Sequence, residues 1–530
     1  MTDTAPYGIL DLFAGPGGLA EGFASVARET GERAFKIDLS VEKDRHAHAT
    51  LRLRAFLRQF GSEFPNEYYD FIGGCITLEE LADTYPKEWR DAGHEATLRE
   101  LGQDRTKRFL ELRISRMKKI YQDRTVLIGG PPCQAYSLVG RARNKGNADY
   151  TPEKDARHFL YREFLWAIEE LKPACFVMEN VKGMLSSSVN GSLIARSIIR
   201  DLRNAGDGYT LYPLTAPVDN KDRPKHFLIR AEDHGVPQAR HRVIIVGIKN
   251  QLDLVSKATR ADDDLRLDTS TKVATRTILV GAPRLRSSVS IRKAQGAAED
   301  WFDIRRNAAQ KLAKLYSKSD PALANIFTTI SKKRAGDHGY ELNTNASKPS
   351  YVSTKCPEAL TEWLVDEKLP CLPNTDTRSH MPSDLERYLF ASAFAKVHGR
   401  SPKSQDFPRL LAPNHKSWDS GDFADRFRVQ LYDIPSSTIT SHISKDGHFY
   451  IHPDPEQCRS LTVREAARLQ TFPDNYMFLG PRTQQYHQVG NAVPPWLANQ
   501  IAQTLLPVLD ACFDETPNCA DRPVLAVANT

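Results

Sequence analysis

No two of the eight cysteines in this 530-residue chain are spaced as CxxC; they fall at 75, 133, 175, 356, 371, 458, 512 and 519. That scatter offers neither a disulfide framework nor a zinc knuckle, and it points to a reducing compartment in which a thiol stays available. No long apolar run occurs, and no basic leader with an apolar core precedes the first apolar stretch, so neither a membrane span nor a secretory signal is expected. Charge of one sign is scarce too: 72 Lys and Arg stand against 66 Asp and Glu. An excess of six is compatible with a nucleic-acid partner without indicating one. With 40% hydrophobic residues, a chain of 530 can bury one large core or, more readily, two domains.

What is present is a set of strand-and-turn motifs. Residues 7–13 (YGILDLF) read as a buried strand that runs into AGPGG, after which Leu19, Phe23 and Val26 fall at helical spacing. Strand, glycine turn and helix start make a place for a nucleotide-like ligand, although FxGxGG is not the dinucleotide fingerprint. Gly15 and Gly17 permit a tight backbone and Gly18 a close approach of another chain segment. A second strand near 34–37 leads through Asp38 to Glu42, and an acidic side chain after a second strand suits a ribose diol. Residues 70–77 (DFIGGCIT) read as the end of a third strand. Residues 78–121 are charged and helical in pattern, and read as a helical excursion packed on the side of the domain with a solvated charged surface.

The organising stretch is 126–143, VLIGGPPCQAYSLVGRAR: an apolar strand, two glycines, two stiffening prolines and Cys133 at the tip, with Arg141 and Arg143 following. Alone it shows a thiol with a reason to be reactive beside cations that suit a polyanion. A helix over 158–171 follows, then a strand ending in Glu179 and Asn180. If that strand is a parallel neighbour of the first two, Glu179 and Cys133 share one sheet edge. A carboxyl there accepts an exocyclic amine and, when protonated, donates to a ring nitrogen. In QARHR, ahead of VIIVG, Arg240 and Arg242 alternate along an extended segment.

GGPPCQAYS resembles the Pro-Cys loop of the DNA (cytosine-5) methyltransferases. DLFAGPGGLAEGF, MENV, QARHR, LTVREAARLQTFP and QVGNAVPP occur around it in that family's order, over roughly 7–250 and 456–505. The resemblance implies an α/β fold of the S-adenosylmethionine-dependent (Rossmann-like) type, a mostly parallel sheet with a separate target-recognition domain. The divisions expected are 1–254 catalytic, 255–455 recognition, and 456–530 a return segment with a polar tail. It implies Cys133, Glu179 and Arg242 as catalytic, with Arg240 as a supporting or phosphate contact. For S-adenosylmethionine it implies Phe13, Ala14, Gly15, Gly17, Gly18, Leu19, Glu42 (preferred to Asp38), Lys43, Pro131, Asn491 and Val493. Cys75 and Ile76 join that set through the backbone, since Cys75 stands where relatives carry an Asp. Gln134, Ser137, Arg141 and Arg143 are expected at DNA, and Gln238 at DNA or bracing the catalytic loop. In the recognition segment Lys332, Lys333, Arg334, Arg426 and Arg428 are candidates for base or phosphate contact. No metal is expected.

The implied reaction is methyl transfer from S-adenosylmethionine to C5 of a cytosine flipped out of duplex DNA, through a bond from Cys133 to C6. Two rivals are a transfer-RNA cytosine methyltransferase, disfavoured by the large segment between the catalytic portions, and an inert DNA-binding regulator, disfavoured by the presence of Cys133, Glu179 and Arg242. The setting implied is a monomer in the cytoplasm or nucleoid of a bacterium, off the membrane, with a restriction or other phage-defence partner.

Overall fold

Every residue of Tyr7–Leu12 (β1) is buried, as befits a strand covered on both faces. Parallel neighbours flank it: Phe35–Glu42 (β2) on one side, with Ala96–Leu98 (β3) beyond, and Thr125–Gly129 (β4) on the other, followed by Cys175–Val181 (β5). Two short strands, Ser188–Val189 (β6) and Ser192–Leu193 (β7), pair off the sheet. Tyr209–Tyr212 (β8), Leu228–Arg230 (β9), Gln238–Ala239 (β10) and His241–Lys249 (β11) follow, and β11 runs antiparallel to β5, β8 and β9. The sheet order is β3-β2-β1-β4-β5-β11-β8, with β9 on β11. The computed structural model describes residues 5–61, 63–132, 160–186, 188–189, 192–215, 223–253, 265–291, 294–296, 298–333, 351–413, 418 and 425–513.

The expected mostly parallel α/β sheet is therefore present, with helices on both faces. Helix Leu160–Leu171 buries Phe164, Ala167, Ile168 and Leu171, the i, i+3, i+4, i+7 stripe of a helix lying on a sheet. It shares a core with Leu110, Ile114 and Met117 of helix Asp104–Tyr121. On the opposite face, helix Gly18–Ala24 and the closing helix Pro495–Phe513 enclose Leu19, Phe23, Leu497, Ile501 and Leu505. The 78–121 segment packs on the side of the sheet as expected, and it also supplies β3, which the sequence did not reveal.

The expected third strand is corrected. Residues 66–73 form helix Asn66–Gly73, which buries Tyr68 and Ile72, one turn apart, and ends on Gly74 in the left-handed region (φ 76°). The two glycines cap a helix; they do not lead out of a strand.

Beyond the sheet, Val289–Ile291 (β12) pairs with Ala294–Gly296 (β13), and helices Ala298–Tyr316, Pro321–Ser331 and Pro382–His398 follow. A core drawn from residues 289–458, with Trp301, Phe327, Phe390 and Phe427 inside, belongs to this region alone. Val273, Ile278, Leu360 and Leu364 pack instead with residues 439–492. The chain rejoins the sheet through Ser436–Ser437 (β14), a parallel partner of β10. Helix Val463–Leu469 starts at a capping box, Thr462 with Glu465. Among the described residues no helix is long and apolar enough to cross a membrane, and no three His, Cys, Asp or Glu side chains are grouped to hold a metal ion.

Candidate active site

The sheet order reverses between β1 and β4: the chain goes outward through β2 and β3, then returns to the far side of β1. In open α/β sheets a crevice forms at the carboxyl ends of the strands at such a reversal. Here β1 delivers residues 13–18 to it and β4 delivers Gly130, Pro131 and Pro132. Two of the sequence motifs therefore meet there for topological reasons.

On the β1 side the backbone is tightly wound, with φ of 60° at Phe13, 58° at Gly15 and 101° at Gly17. Ala14 N–H donates to the Val41 carbonyl (3.1 Å), and Gly15 N–H donates to Glu42 Oε2 (2.8 Å). Glu42 Oε1 accepts the N–H groups of Lys43 (2.9 Å) and Asp44 (2.7 Å). Burial raises the Glu42 pKa, opposed by those three backbone donors. A carboxylate has about four acceptor positions, so one remains for a ribose hydroxyl. Among the described residues an added Cβ on Gly15 would meet nothing within 4 Å, so open space lies beside this glycine. Asp38, the rival, sits inside β2 and pairs with Arg113 at 3.1 Å. The residues fit the ribose end of a nucleoside cofactor. Leu19 turns its side chain into the core, 6% exposed, which leaves only its backbone for a ligand.

Cys75 and Ile76 are not at a strand end. Cys75 N–H donates to the Asp70 carbonyl in the turn after the helix, and Ile76 packs with Leu51, Tyr68 and Leu81. Their place at the sheet edge belongs to Leu98, which ends β3 and is 51% exposed although apolar. Two residues further, Glu100 pairs with Lys43 at 3.5 Å. Leu98 escaped sequence reading because a three-residue strand carries almost no alternation.

On the other side of the reversal, β11 runs against β5 with Arg242 opposite Val181 and Ile244 opposite Glu179. Arg242 and Glu179 are thus diagonal neighbours on one face, within reach of long side chains. Arg242 Nε is 2.7 Å from Glu179 Oε1, and Arg242 Nη1 donates to the His241 carbonyl (2.9 Å). Burial lowers the Arg242 pKa and Glu179 opposes the shift, so the cation persists. The loop after β4 touches the same carboxylate: a Cβ on Gly130 would lie 2.9 Å from Glu179 Oε2. Pro131, expected beside the cofactor, has its carbonyl occupied by Asn180 Nδ2 at 3.2 Å. Cys133, Gln134, Ser137, Arg141 and Arg143 lie outside the described residues, Cys133 directly after Pro132.

For Arg240 the phosphate contact, and for Gln238 the DNA contact, are corrected. Arg240 is wholly buried and donates to the carbonyls of Ile439, Gly490 and Ala492, so no donor faces a phosphate. Burial, and then the neighbouring charge of Arg242, presses its pKa well down. Gln238, also wholly buried, donates to Leu469 and Gln470 and accepts from Ile439 N–H at 2.8 Å, a brace out of reach of DNA. Of the recognition-segment cations, Lys333 pairs with Glu456, Arg426 with Asp446 and Arg428 with Asp425. Arg334 is outside the described residues.

The return segment comes back to the glycine loop. A Cβ on Gly18 would lie 2.4 Å from the Val493 carbonyl, an approach only glycine allows. Tyr476 donates its hydroxyl to the Pro16 carbonyl, while its ring lies under Arg54 at 4.5 Å. Asn491, expected beside the cofactor, is exposed and ends helix Arg482–Asn491, so Gly490 and Asn491 form the last turn of a helix. Arg464 is buried as well, donating to the carbonyls of Pro373, Pro473 and Tyr476.

Residues 83–506 match the model of the C-5 cytosine-specific DNA methylases. Type II methyltransferase M.Bpa9945I of Bacillus paralicheniformis is 32% identical over 522 residues, 95% of this chain and 99% of that protein. Type II methyltransferase M.AgeI of Thalassovita gelatinovora is 28% identical over 400 residues, 72% of this chain and 82% of that protein. DNA (cytosine-5-)-methyltransferase M.ApeKI of Aeropyrum pernix is 26% identical over 435 residues, 73% of this chain and 82% of that protein. With the matched region spanning most of the chain and the sheet reversal carrying its motifs, this protein belongs to the C-5 cytosine-specific DNA methylase family, enzymes that use S-adenosylmethionine.

Proposed function

We propose that the chain methylates C5 of a cytosine flipped out of a specific duplex DNA sequence, and that Cys133 forms a transient bond to C6 of that base. The observation that carries this reading is the 2.7 Å pair between Glu179 and Arg242, set against the loop that continues into Cys133. C5 of cytosine is a poor nucleophile. Addition of the Cys133 thiolate at C6 moves electron density onto C5, and Glu179 offsets the charge that develops by a hydrogen bond or proton at N3 while accepting the N4 amine. Arg242 fixes the carboxylate through Nε, and with Nη1 on the His241 carbonyl its Nη2 is left for O2 of the base. S-adenosylmethionine supplies an electrophilic methyl group when bound, and Phe13, Ala14, Gly15, Gly17, Gly18, Glu42, Lys43, Leu98 and Val493 form its candidate site. Loss of the C5 proton and release of Cys133 restore the aromatic ring and the free thiol. The 289–458 core supports a target-recognition role for the region between the catalytic portions. Relatives named type II methyltransferases support a place in bacterial restriction–modification.

The deciding experiment incubates the chain and S-adenosylmethionine with duplexes carrying 5-fluorocytosine, in which the C5 substituent cannot leave as a proton. A covalent complex mapped to Cys133, absent in Cys133→Ser, is the expected result. Turnover by Cys133→Ser at the rate of the unaltered chain would overturn the assignment.

A further inference from the structure

Arg240 poses an energetic question. It is wholly buried, yet among the described residues no carboxylate hydrogen-bonds its guanidinium. An apolar side chain would fill such a space at lower cost, so the cation needs a reason to be there. Its two terminal nitrogens converge on three carbonyls distant in sequence: Nη1 on Ile439 (2.6 Å), Nη2 on Gly490 (3.1 Å) and Ala492 (2.8 Å), while Nε is buried without a partner among the described residues. Ile439 lies just past β14, where the chain leaves the recognition region. Gly490 and Ala492 flank the end of helix Arg482–Asn491. The Ala492 carbonyl takes a second donor, Gln470 Nε2 at 2.5 Å, and Gln470 Oε1 in turn accepts from Gln238 Nε2 at 2.6 Å. One residue on, the Val493 carbonyl presses on Gly18 of the glycine loop. The 490–493 turn is therefore fixed from one side by Arg240 and Gln470 and bears on the glycine loop with the other.

We propose that Arg240 is a positioning residue for the cofactor: it holds the 490–493 turn against Gly18 and thereby sets the shape of the glycine loop, touching neither base nor phosphate. The inference rests on reading that loop as the S-adenosylmethionine site. It separates the two arginines of QARHR into different tasks, Arg242 at the carboxylate and Arg240 at the loop. It also ties the place where the recognition region rejoins the sheet to the cofactor site through a single side chain.

The test uses the full chain, titrated calorimetrically with S-adenosylhomocysteine in the absence of DNA, together with kcat and KM for S-adenosylmethionine on a methylatable duplex. Arg240→Met keeps the aliphatic stem and removes the donors. Its expected result is a rise of about tenfold in the S-adenosylhomocysteine Kd and in KM for the methyl donor, with kcat at saturating donor within about threefold of the unaltered chain. Gln470→Met removes the other donor to the Ala492 carbonyl and should shift the same two constants in the same direction by a smaller factor. Where Arg240→Met does not fold, Arg240→Lys and Gln470→Met decide by the same criteria. An unchanged Kd overturns the proposal, whether kcat collapses, which would put Arg240 in the chemistry, or only the melting temperature falls, which would make it plain scaffold. Failure of the methyl-transfer reading looks different: 5-fluorocytosine DNA would then not trap Cys133 in the unaltered chain, whereas S-adenosylhomocysteine binding involves neither DNA nor that thiol.

Discussion

A methyl group on Gly130 would stand 2.9 Å from Oε2 of Glu179, so the turn after β4 and the carboxylate on β5 compete for one space. The φ of Gly130 is not in the left-handed region, so the conflict comes from the contact and not from backbone strain. Gly130→Ala is expected to push the carboxylate off its place by a fraction of an ångström. The rate of methyl transfer should fall by about ten- to a hundredfold, with S-adenosylhomocysteine affinity little changed. Single-turnover methylation beside a calorimetric titration reads both quantities.

Arg242→Lys tests the antiparallel pairing that brings Arg242 to Glu179. Lysine keeps the charge but cannot hold the carboxylate through Nε while also donating to the His241 carbonyl and the base. A loss of about a hundred- to a thousandfold in kcat is expected, with weaker 5-fluorocytosine trapping. Retention of near-normal kcat would mean that the pair is not part of the chemistry.

Tyr476→Phe removes only the hydroxyl that donates to the Pro16 carbonyl. The loss of one buried hydrogen bond amounts to about 1 kcal/mol. Because the acceptor belongs to the glycine loop, KM for S-adenosylmethionine should rise severalfold while kcat stays near its starting value. Initial-rate measurements over a range of donor concentrations decide it.

Asp11, in β1 beneath the glycine loop, has both carboxyl oxygens buried, and neither lies within hydrogen-bond distance of a partner among the described residues. Burial pushes its pKa well above the usual aspartate range, opposed mainly by Arg58. A raised folded-state pKa means the native chain holds this proton more tightly than the unfolded chain. Asp11 therefore lowers stability as pH rises from about 4, the ordinary aspartate value, through its raised value. Asp11→Asn should remove that slope, so the variant gains on the unaltered chain as pH increases and loses the advantage toward pH 4. Denaturant melts across that range measure the difference, and parallel curves would refute the assignment.

The parts of the site that could be read from sequence are those where the chain changes period: a buried strand, a glycine turn, then helical spacing at residues 7–26. Glu42 came from the family resemblance, because the strand read as ending near residue 37 runs on to Glu42 and holds Asp38 inside it against Arg113. The glutamate on β5 and the second arginine of QARHR, both singled out in the sequence, meet because β11 is antiparallel to β5. Other features were set by partners far along the chain. Gln238 and Arg240 look like outward polar groups beside the second arginine of QARHR, yet their partners lie between Ile439 and Ala492. Local pattern cannot show such contacts. The apolar run at 70–77 misled in the opposite way, since its glycines cap a helix, and β3 was too short to leave a signature.

The embrace of the amino-terminal glycine loop by the carboxyl-terminal segment has a consequence during synthesis. A ribosome that has released only the portion through residue 455 has produced neither Tyr476 nor Val493, nor the helix that covers Leu19 and Phe23. Such a nascent chain leaves an oily sheet face uncovered and the glycine loop without its partners. On the proposed reading of that loop, competence to modify DNA waits until the ribosome has passed Pro495, and termination upstream of it is expected to yield protein prone to clumping and without a partly working enzyme.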